Sequence, residues 1–224
     1  MERQETQSSG IRSFRLRGKR MTRAQNAALV RSWSQFGIEY GTQIDVRKYF
    51  PDAKEVIVEI GFGMGDATAE IAKTHPNNGY FAIEVHPPGI GKLLSLIEEH
   101  ELKNVFIIEG DAIEILETMF VDHCVNGFHL FFPDPWPKQK HHKRRIVNAS
   151  FLELIRQKLM KNGYINIATD WVPYAQWIKD VFALSTQFTG GEVTRPAWRP
   201  YTKFEGKGLA KNHRVSDFHY TAKD

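Results

Sequence analysis

Residues 56–74 read VIVEIGFGMGDATAEIAKT, and this stretch decides the fold. Val56–Ile60 is a strand-length, mostly apolar run; Gly61, Gly63 and Gly65 follow at alternate positions; then Asp66–Thr74 is amphipathic at helical spacing until His75-Pro76 stops it. A short apolar strand, a glycine turn and a helix open a βαβ unit. The rhythm repeats outward. Strands are predicted at Tyr80–Val85, Val105–Glu109, Phe128–Phe132 and Tyr164–Thr169, and helices over Ile90–His100, Ala112–Phe120, Asn148–Met160 and Val172–Leu184. Upstream, Thr22-Arg-Ala-Gln25 matches a capping box and predicts a helix to about Trp33. Downstream, the chain is punctuated by Gly and Pro from Phe188, and Val215–Thr221 alternates like an exposed strand. Short apolar strands alternating with longer helices specify an α/β fold with a doubly wound, mostly parallel sheet and helices on both faces. Residues 21–224 form one domain in this reading, and residues 1–20, basic and without hydrophobic period, form a flexible N-terminal arm.

In doubly wound sheets, ligands bind beyond the carboxyl ends of the strands. Here each of five strands delivers a carboxylate to that rim: Glu59 and Asp66 around the glycines, Glu84, Asp111, Asp134 within Pro133-Asp-Pro-Trp136, and Asp170. A dinucleotide site asks for G-x-G-x-x-G with a pyrophosphate on the helix N-terminus. This chain has G-x-G-x-G between two acids, which repel phosphate and suit a cation. S-adenosylmethionine, with a sulfonium, an ammonium and no phosphate, fits such a loop better than a nicotinamide cofactor. Glu84 follows Gly61 at about the distance at which an acid grips ribose hydroxyls, and Asp111 is placed to accept from an adenine amine.

Net charge is +4, but its distribution is uneven. Residues 1–31, 138–145 and 195–214 carry +6, +5 and +5, leaving −12 for the remainder. Three basic segments interleaved with Trp136, Trp198, Tyr201 and Phe204 on an acidic body are the footprint of a nucleic-acid binder. No apolar run approaches the roughly 20 residues that cross a bilayer, and Met1–Met21 lacks the apolar centre of a secretory signal. A single cysteine, Cys124, excludes an internal disulfide and a Cys-based metal site and fits a cytoplasmic setting. His86, His129 and His213 have no ligand spacing, so no metal is expected and the histidines read as structural.

Glu59-Ile-Gly-Phe-Gly-Met-Gly65, Ile83-Glu-Val-His86, Gly110-Asp-Ala112, Phe131-Phe-Pro-Asp-Pro-Trp136, Lys143-Arg-Arg-Ile-Val147, Ala168-Thr-Asp-Trp171 and Thr202-Lys-Phe-Glu205 together resemble the bacterial tRNA (guanine-N7)-methyltransferases. The likeness runs from about Ser13 to Tyr220; its Pro-Asp-Pro-Trp, Lys-Arg-Arg and Thr-x-Phe-Glu segments are specific, its glycine loop much less so. The resemblance implies a Rossmann-like class I methyltransferase fold with a seven-stranded sheet. It implies methyl transfer from S-adenosylmethionine to N7 of the variable-loop guanine of tRNA, position 46 in tRNA numbering. It places the methyl donor against Glu59, Glu84, Asp111 and Asp134 and the glycine loop. Substrate contacts fall to Lys138, Asp170, Thr202, Lys203, Phe204 and Glu205, and RNA to Lys140, His141, His142, Lys143, Arg144 and Arg145. Asn212-His213 stands where the family pattern has Gly-His. No membrane and no obligatory protein partner are implied, and the family includes monomers and homodimers. A methyltransferase acting on another nucleic-acid nitrogen is the alternative. Because guanine N7 carries a lone pair and no proton, the reaction needs alignment and electrostatic support rather than a general base, and Asp134 is the residue expected to supply them.

Overall fold

Thr22 opens the first helix with both halves of the capping box: its hydroxyl accepts from the Gln25 N–H at 3.2 Å, and Gln25 Oε1 accepts from the Thr22 N–H at 2.8 Å. The computed structural model describes residues 12–14, 18, 20–201, 205 and 214–223. Thr202, Lys203, Phe204, Asn212 and His213, and most of the basic arm, lie outside the described residues. In chain order the elements are α1 (Arg23–Phe36), β1 (Gly37–Ile38), α2 (Val46–Tyr49), β2 (Val56–Ile60), α3 (Asp66–Thr74), β3 (Gly79–Glu84) and α4 (Pro87–Glu99). They continue as β4 (Val105–Glu109), α5 (Ala112–Met119), β5 (Val125–Phe131), a 3₁₀ helix (Gln139–Arg144), α6 (Ala149–Lys158), β6 (Leu159–Thr169), α7 (Val172–Ala183), β7 (Phe188–Val193) and β8 (Ser216–Ala222).

One sheet holds all the strands in the order β1-β4-β3-β2-β5-β6-β8-β7. The first six in that order run parallel, whereas β8 is antiparallel to both β6 and β7. All residues of β2 and β3 are buried, because helices cover both faces. On one face Phe81, Ile83, Phe128, Leu130, Ile165 and Ile167 meet residues of α5, α6 and α7. On the other, Ile57, Ala82 and Ile107 meet Ala28, Ala69, Ile90, Leu93 and Ile97 of α1, α3 and α4.

Two expectations need correcting. The sheet has eight strands rather than seven, the two-residue β1 being added beside β4. The C-terminal strand is not exposed: β8 lies between β6 and β7, and Ser216, Asp217, Phe218, Tyr220 and Ala222 are buried. Alternation assigns residues to two faces but cannot reveal a further strand pairing outside. That strand, β7, carries Gly190-Gly191, which lack the side chains that mark a strand. Gly190 sits at φ 137°, and a Cβ there would lie 2.1 Å from the His219 carbonyl oxygen.

From β2 the sheet grows through β3 and β4 on one side and through β5 and β6 on the other. The order reverses between β2 and β5, which puts the crevice at their carboxyl ends. Read across the sheet, the acids after the strands line up as Asp111, Glu84, Glu59, Asp134 and Asp170. Glu59 and Asp134 flank the reversal.

Candidate active site

The crevice is a cleft of about 300 Å³, lined by the glycine loop, Glu59, Glu84, Gly110, Phe131 and Asp134 among others. Gly61, Gly63 and Gly65 all take left-handed φ angles, 73°, 63° and 77°. Their duties differ. A Cβ on Gly61 or Gly63 would meet nothing within 4 Å, so both leave bare backbone facing open space that a ligand can approach. A Cβ on Gly65 would strike the Leu93 side chain at 2.7 Å, so this glycine lets α3 pack on α4.

Glu84 braces this loop. Its Oε2 accepts from the Gly63 N–H at 2.7 Å, and Oε1 accepts from Val85 and His86 N–H groups at 2.7 and 3.1 Å. Its carboxylate also lines the cleft. Glu59 is 3% exposed, and its Oε2, like the Thr68 hydroxyl, makes no hydrogen bond among the described residues. Burial pushes its proton affinity up to about 7; Thr68 opposes the rise and the charge of Glu84 adds to it. A buried acid with one oxygen left without a hydrogen bond, at the wall of a cleft, is costly in isolation and is relieved by a cationic ligand. The acid rim, the orphaned Glu59 oxygen and the bare glycine backbone therefore fit S-adenosylmethionine. Asp66 also lines the cleft at the start of α3, where a phosphate would otherwise be drawn to the helix N-terminus.

Asp111 sits differently from the expectation. Its side chain caps α5, accepting from the Ile113 N–H at 2.9 Å, and its neighbours Gly110 and Ala112, not Asp111 itself, line the cleft. Burial raises its proton affinity.

Asp134 reaches the lip of the cleft on a constrained loop. Phe132 and Trp136, on either side of Pro133-Asp134-Pro135, have φ angles of 53° and 44°. Left-handed backbone costs about 1–2 kcal/mol for each non-glycine residue, and the prolines fix their own φ. Three contacts hold the loop in place. The Phe132 N–H donates to the Ala168 carbonyl at 2.8 Å, Trp136 is buried with its Nε1–H on the Ser13 carbonyl at 2.8 Å, and Arg145 Nε donates to the Pro135 carbonyl at 2.9 Å. Asp170 lies half-buried just beyond β6, next to the end of β5, where Phe131 pairs with Ala168.

Arg145 thus departs from the expected RNA-binding role. It is 3% exposed, with its guanidinium over the Tyr174 and Trp177 rings and donating to His142 Nε2 at 3.1 Å. Lys138, Lys140 and Lys143 are exposed, His141 and His142 are half-buried, and Arg144 lies over the Trp136 ring at 4.8 Å. The chain brings this basic 3₁₀ helix directly after the Asp134 loop, with Lys138 within about 14 Å of Asp134 along the chain.

Glu205 also departs from its expected substrate contact. It is buried, and its two oxygens accept from Arg199 Nη1 and Nη2 at 2.8 and 3.1 Å. The same guanidinium binds Asp217 through Nε and Nη2 at 2.6 and 3.0 Å. Arg199, fully buried, belongs to the basic segment 195–214; a charge tally cannot show that its partners are Glu205 and an acid on β8. It backs the cleft wall, 5.9 and 5.7 Å from the centres of the Phe131 and Phe132 rings. Beside it, Trp198 stacks on His129, which burial keeps neutral with its proton affinity near 3.

A family described as "Putative methyltransferase" matches residues 53–218. Proteins named tRNA (guanine-N(7)-)-methyltransferase share 46% identity over 211 residues in Neisseria meningitidis serogroup A, covering 92% of this chain and 89% of that one. In Nitrosospira multiformis the identity is 44% over 211 residues, with 92% of each chain covered. In Streptomyces avermitilis it is 44% over 213 residues, covering 92% of this chain and 73% of that one. Among solved structures, the 16S rRNA methyltransferase KamB superposes with a TM-score of 0.60 at 12% identity, covering 81% of this chain and 95% of that one. A 30S ribosomal A1408 methyltransferase from an uncultured bacterium gives 0.54 at 15% identity, covering 81% and 96%. These two likenesses speak for the fold.

Proposed function

The chain belongs to the tRNA (guanine-N(7)-)-methyltransferase family, and from that premise we propose that it methylates N7 of a tRNA guanine, the variable-loop position 46, using S-adenosylmethionine in the cytoplasm. The observation that carries the reading is the placement of Asp134, held at the lip of the glycine-loop cleft by a constrained loop that runs straight into a basic helix.

S-adenosylmethionine supplies an electrophilic methyl group on a sulfonium. The residues that hold it are Glu59, Glu84 and the backbone of Gly61 and Gly63, with Asp134 on the far lip. Asp134 accepts from the N1–H and N2–H of the guanine, which fixes the base and pushes electron density into the ring as N7 becomes cationic. No side chain has to remove a proton from N7, so the contribution of Asp134 is alignment and electrostatic support. Asp170, from the neighbouring strand end, completes the acceptor side. Lys138, Lys140, Lys143 and Arg144 hold backbone phosphates, which positions the RNA without reading its sequence. Arg145 acts through the Pro135 carbonyl and Glu205 through Arg199, both as positioning residues. Since N7 faces a groove and can be engaged in tertiary pairing, the base has to be loosened or extruded to reach the cleft.

Incubation of the protein with unmodified tRNA and methyl-labelled S-adenosylmethionine, followed by nucleoside analysis, tests the reading. Label in 7-methylguanosine is the expected result; label in another nucleoside, or in none, overturns it.

A further inference from the structure

One wall of the cleft comes from outside the sheet. Ser13 and Phe14 line the cavity alongside the glycine loop and the Asp134 loop. They are brought there by Trp136, whose Nε1–H donates to the Ser13 carbonyl at 2.8 Å. The indole has little freedom, being 3% exposed. Its ring meets the Arg144 guanidinium at 4.8 Å and the edge of His141 at 5.7 Å. One side chain, two residues beyond Asp134, therefore touches the N-terminal arm and the basic helix together. Just before Ser13, the positive charge of Arg12 acts on Asp111 at the end of β4.

We propose that Arg12–Phe14 forms a wall of the methyl-donor site, clasped there by Trp136, so that this part of the arm contributes to cofactor binding and not to RNA docking alone. The proposal rests on reading the cleft as the S-adenosylmethionine site. Phe14, half-buried in the cleft lining, covers apolar ligand surface and excludes water, and the Trp136–Ser13 hydrogen bond keeps it in position. Binding couplings are reciprocal, so whatever RNA does to the basic helix through Arg144 and Trp136 is felt in cofactor affinity.

Calorimetric titration of the full-length protein with S-adenosylhomocysteine, without RNA, tests this for Phe14→Ala, Trp136→Phe and the double variant. Each single change is expected to weaken binding about five- to tenfold, the size of one lost neutral hydrogen bond or part of an aromatic contact. The double variant should bind no more weakly than the poorer single one, because Phe14 acts through the clasp. Phe14→Ala removes only a half-buried side chain of the arm, so an unchanged melting temperature separates lost affinity from lost folding. Phe14→Ala that binds within twofold of the parent yet raises KM for tRNA overturns the proposal, as do two effects that multiply. If the parent itself takes up no S-adenosylhomocysteine, the functional reading of the cleft has failed instead.

Discussion

Replacing Glu59 with Gln should make the ligand-free protein more stable and the methyl-donor site worse. Glu59 is buried, its Oε2 lacks a hydrogen bond among the described residues, and burial raises its proton affinity to about 7. In the unfolded chain the same carboxyl titrates at about 4.3. Between those values the folded state binds more protons than the unfolded state. The stability from this group is therefore full at low pH and lost as pH rises through 7. At pH 8 the charged carboxylate costs about 3.5 kcal/mol, at 1.36 kcal/mol per tenfold in proton affinity. Glutamine keeps the shape without the charge, so Glu59→Gln should raise the melting temperature at pH 8 by roughly 7–14 °C for a chain of this size. Near pH 5, where only the unfolded chain is still ionised, the gain should shrink to about 1 kcal/mol, and below about pH 4 it should vanish. The amide offers a cationic ligand no counter-charge, so S-adenosylmethionine affinity should fall in the same variant. In the parent protein that affinity should rise about tenfold from pH 6 to pH 8, as the ionised fraction of Glu59 grows from about a tenth to about nine-tenths. Thermal unfolding at the two pH values, paired with calorimetry, reads all of this. A stability gain at pH 5 equal to that at pH 8, or none at pH 8, refutes the reasoning.

Asp134→Asn keeps the shape of the acceptor but replaces one carboxylate oxygen with a donor; single-turnover methyl transfer should slow about 10²-fold or more, and full turnover would count against electrostatic support. Replacing the exposed Lys138, Lys140 and Lys143 with Ala should reduce the salt dependence of tRNA binding by about two to three in log–log slope. By contrast, Arg145→Ala should leave that slope alone and lower turnover, since Arg145 holds the Pro135 carbonyl. Arg199→Met strands Glu205 and Asp217 without their shared cation and should destabilise the fold by about 3–5 kcal/mol, read by denaturant unfolding.

Much of this protein was legible in the residues because the signals are local. The boundaries of β2, α3 and β4 follow from apolar runs cut by glycine, proline and charge, and the capping box at Thr22 formed as written. Placing acids after each strand needed only chain order, so the rim at Glu59, Glu84, Asp134 and Asp170 was foreseeable. What the chain order left open was which side chains are spent on other partners. Asp111 is turned to capping, Arg145 to the Pro135 carbonyl and Glu205 to Arg199, each through a contact that depends on packing.

The parallel α/β architecture and the acid-ringed glycine loop can be read from the residues alone, because strand and helix periods and backbone-permissive glycines act over a few neighbouring residues. That β8 runs inside the sheet, that Arg199 bridges Glu205 and Asp217, and that Trp136 draws Ser13 to the cleft emerge only from the packed chain. Each of those joins residues far apart in the chain, and their energy comes from burial and charge pairing that exist only once the sheet has assembled.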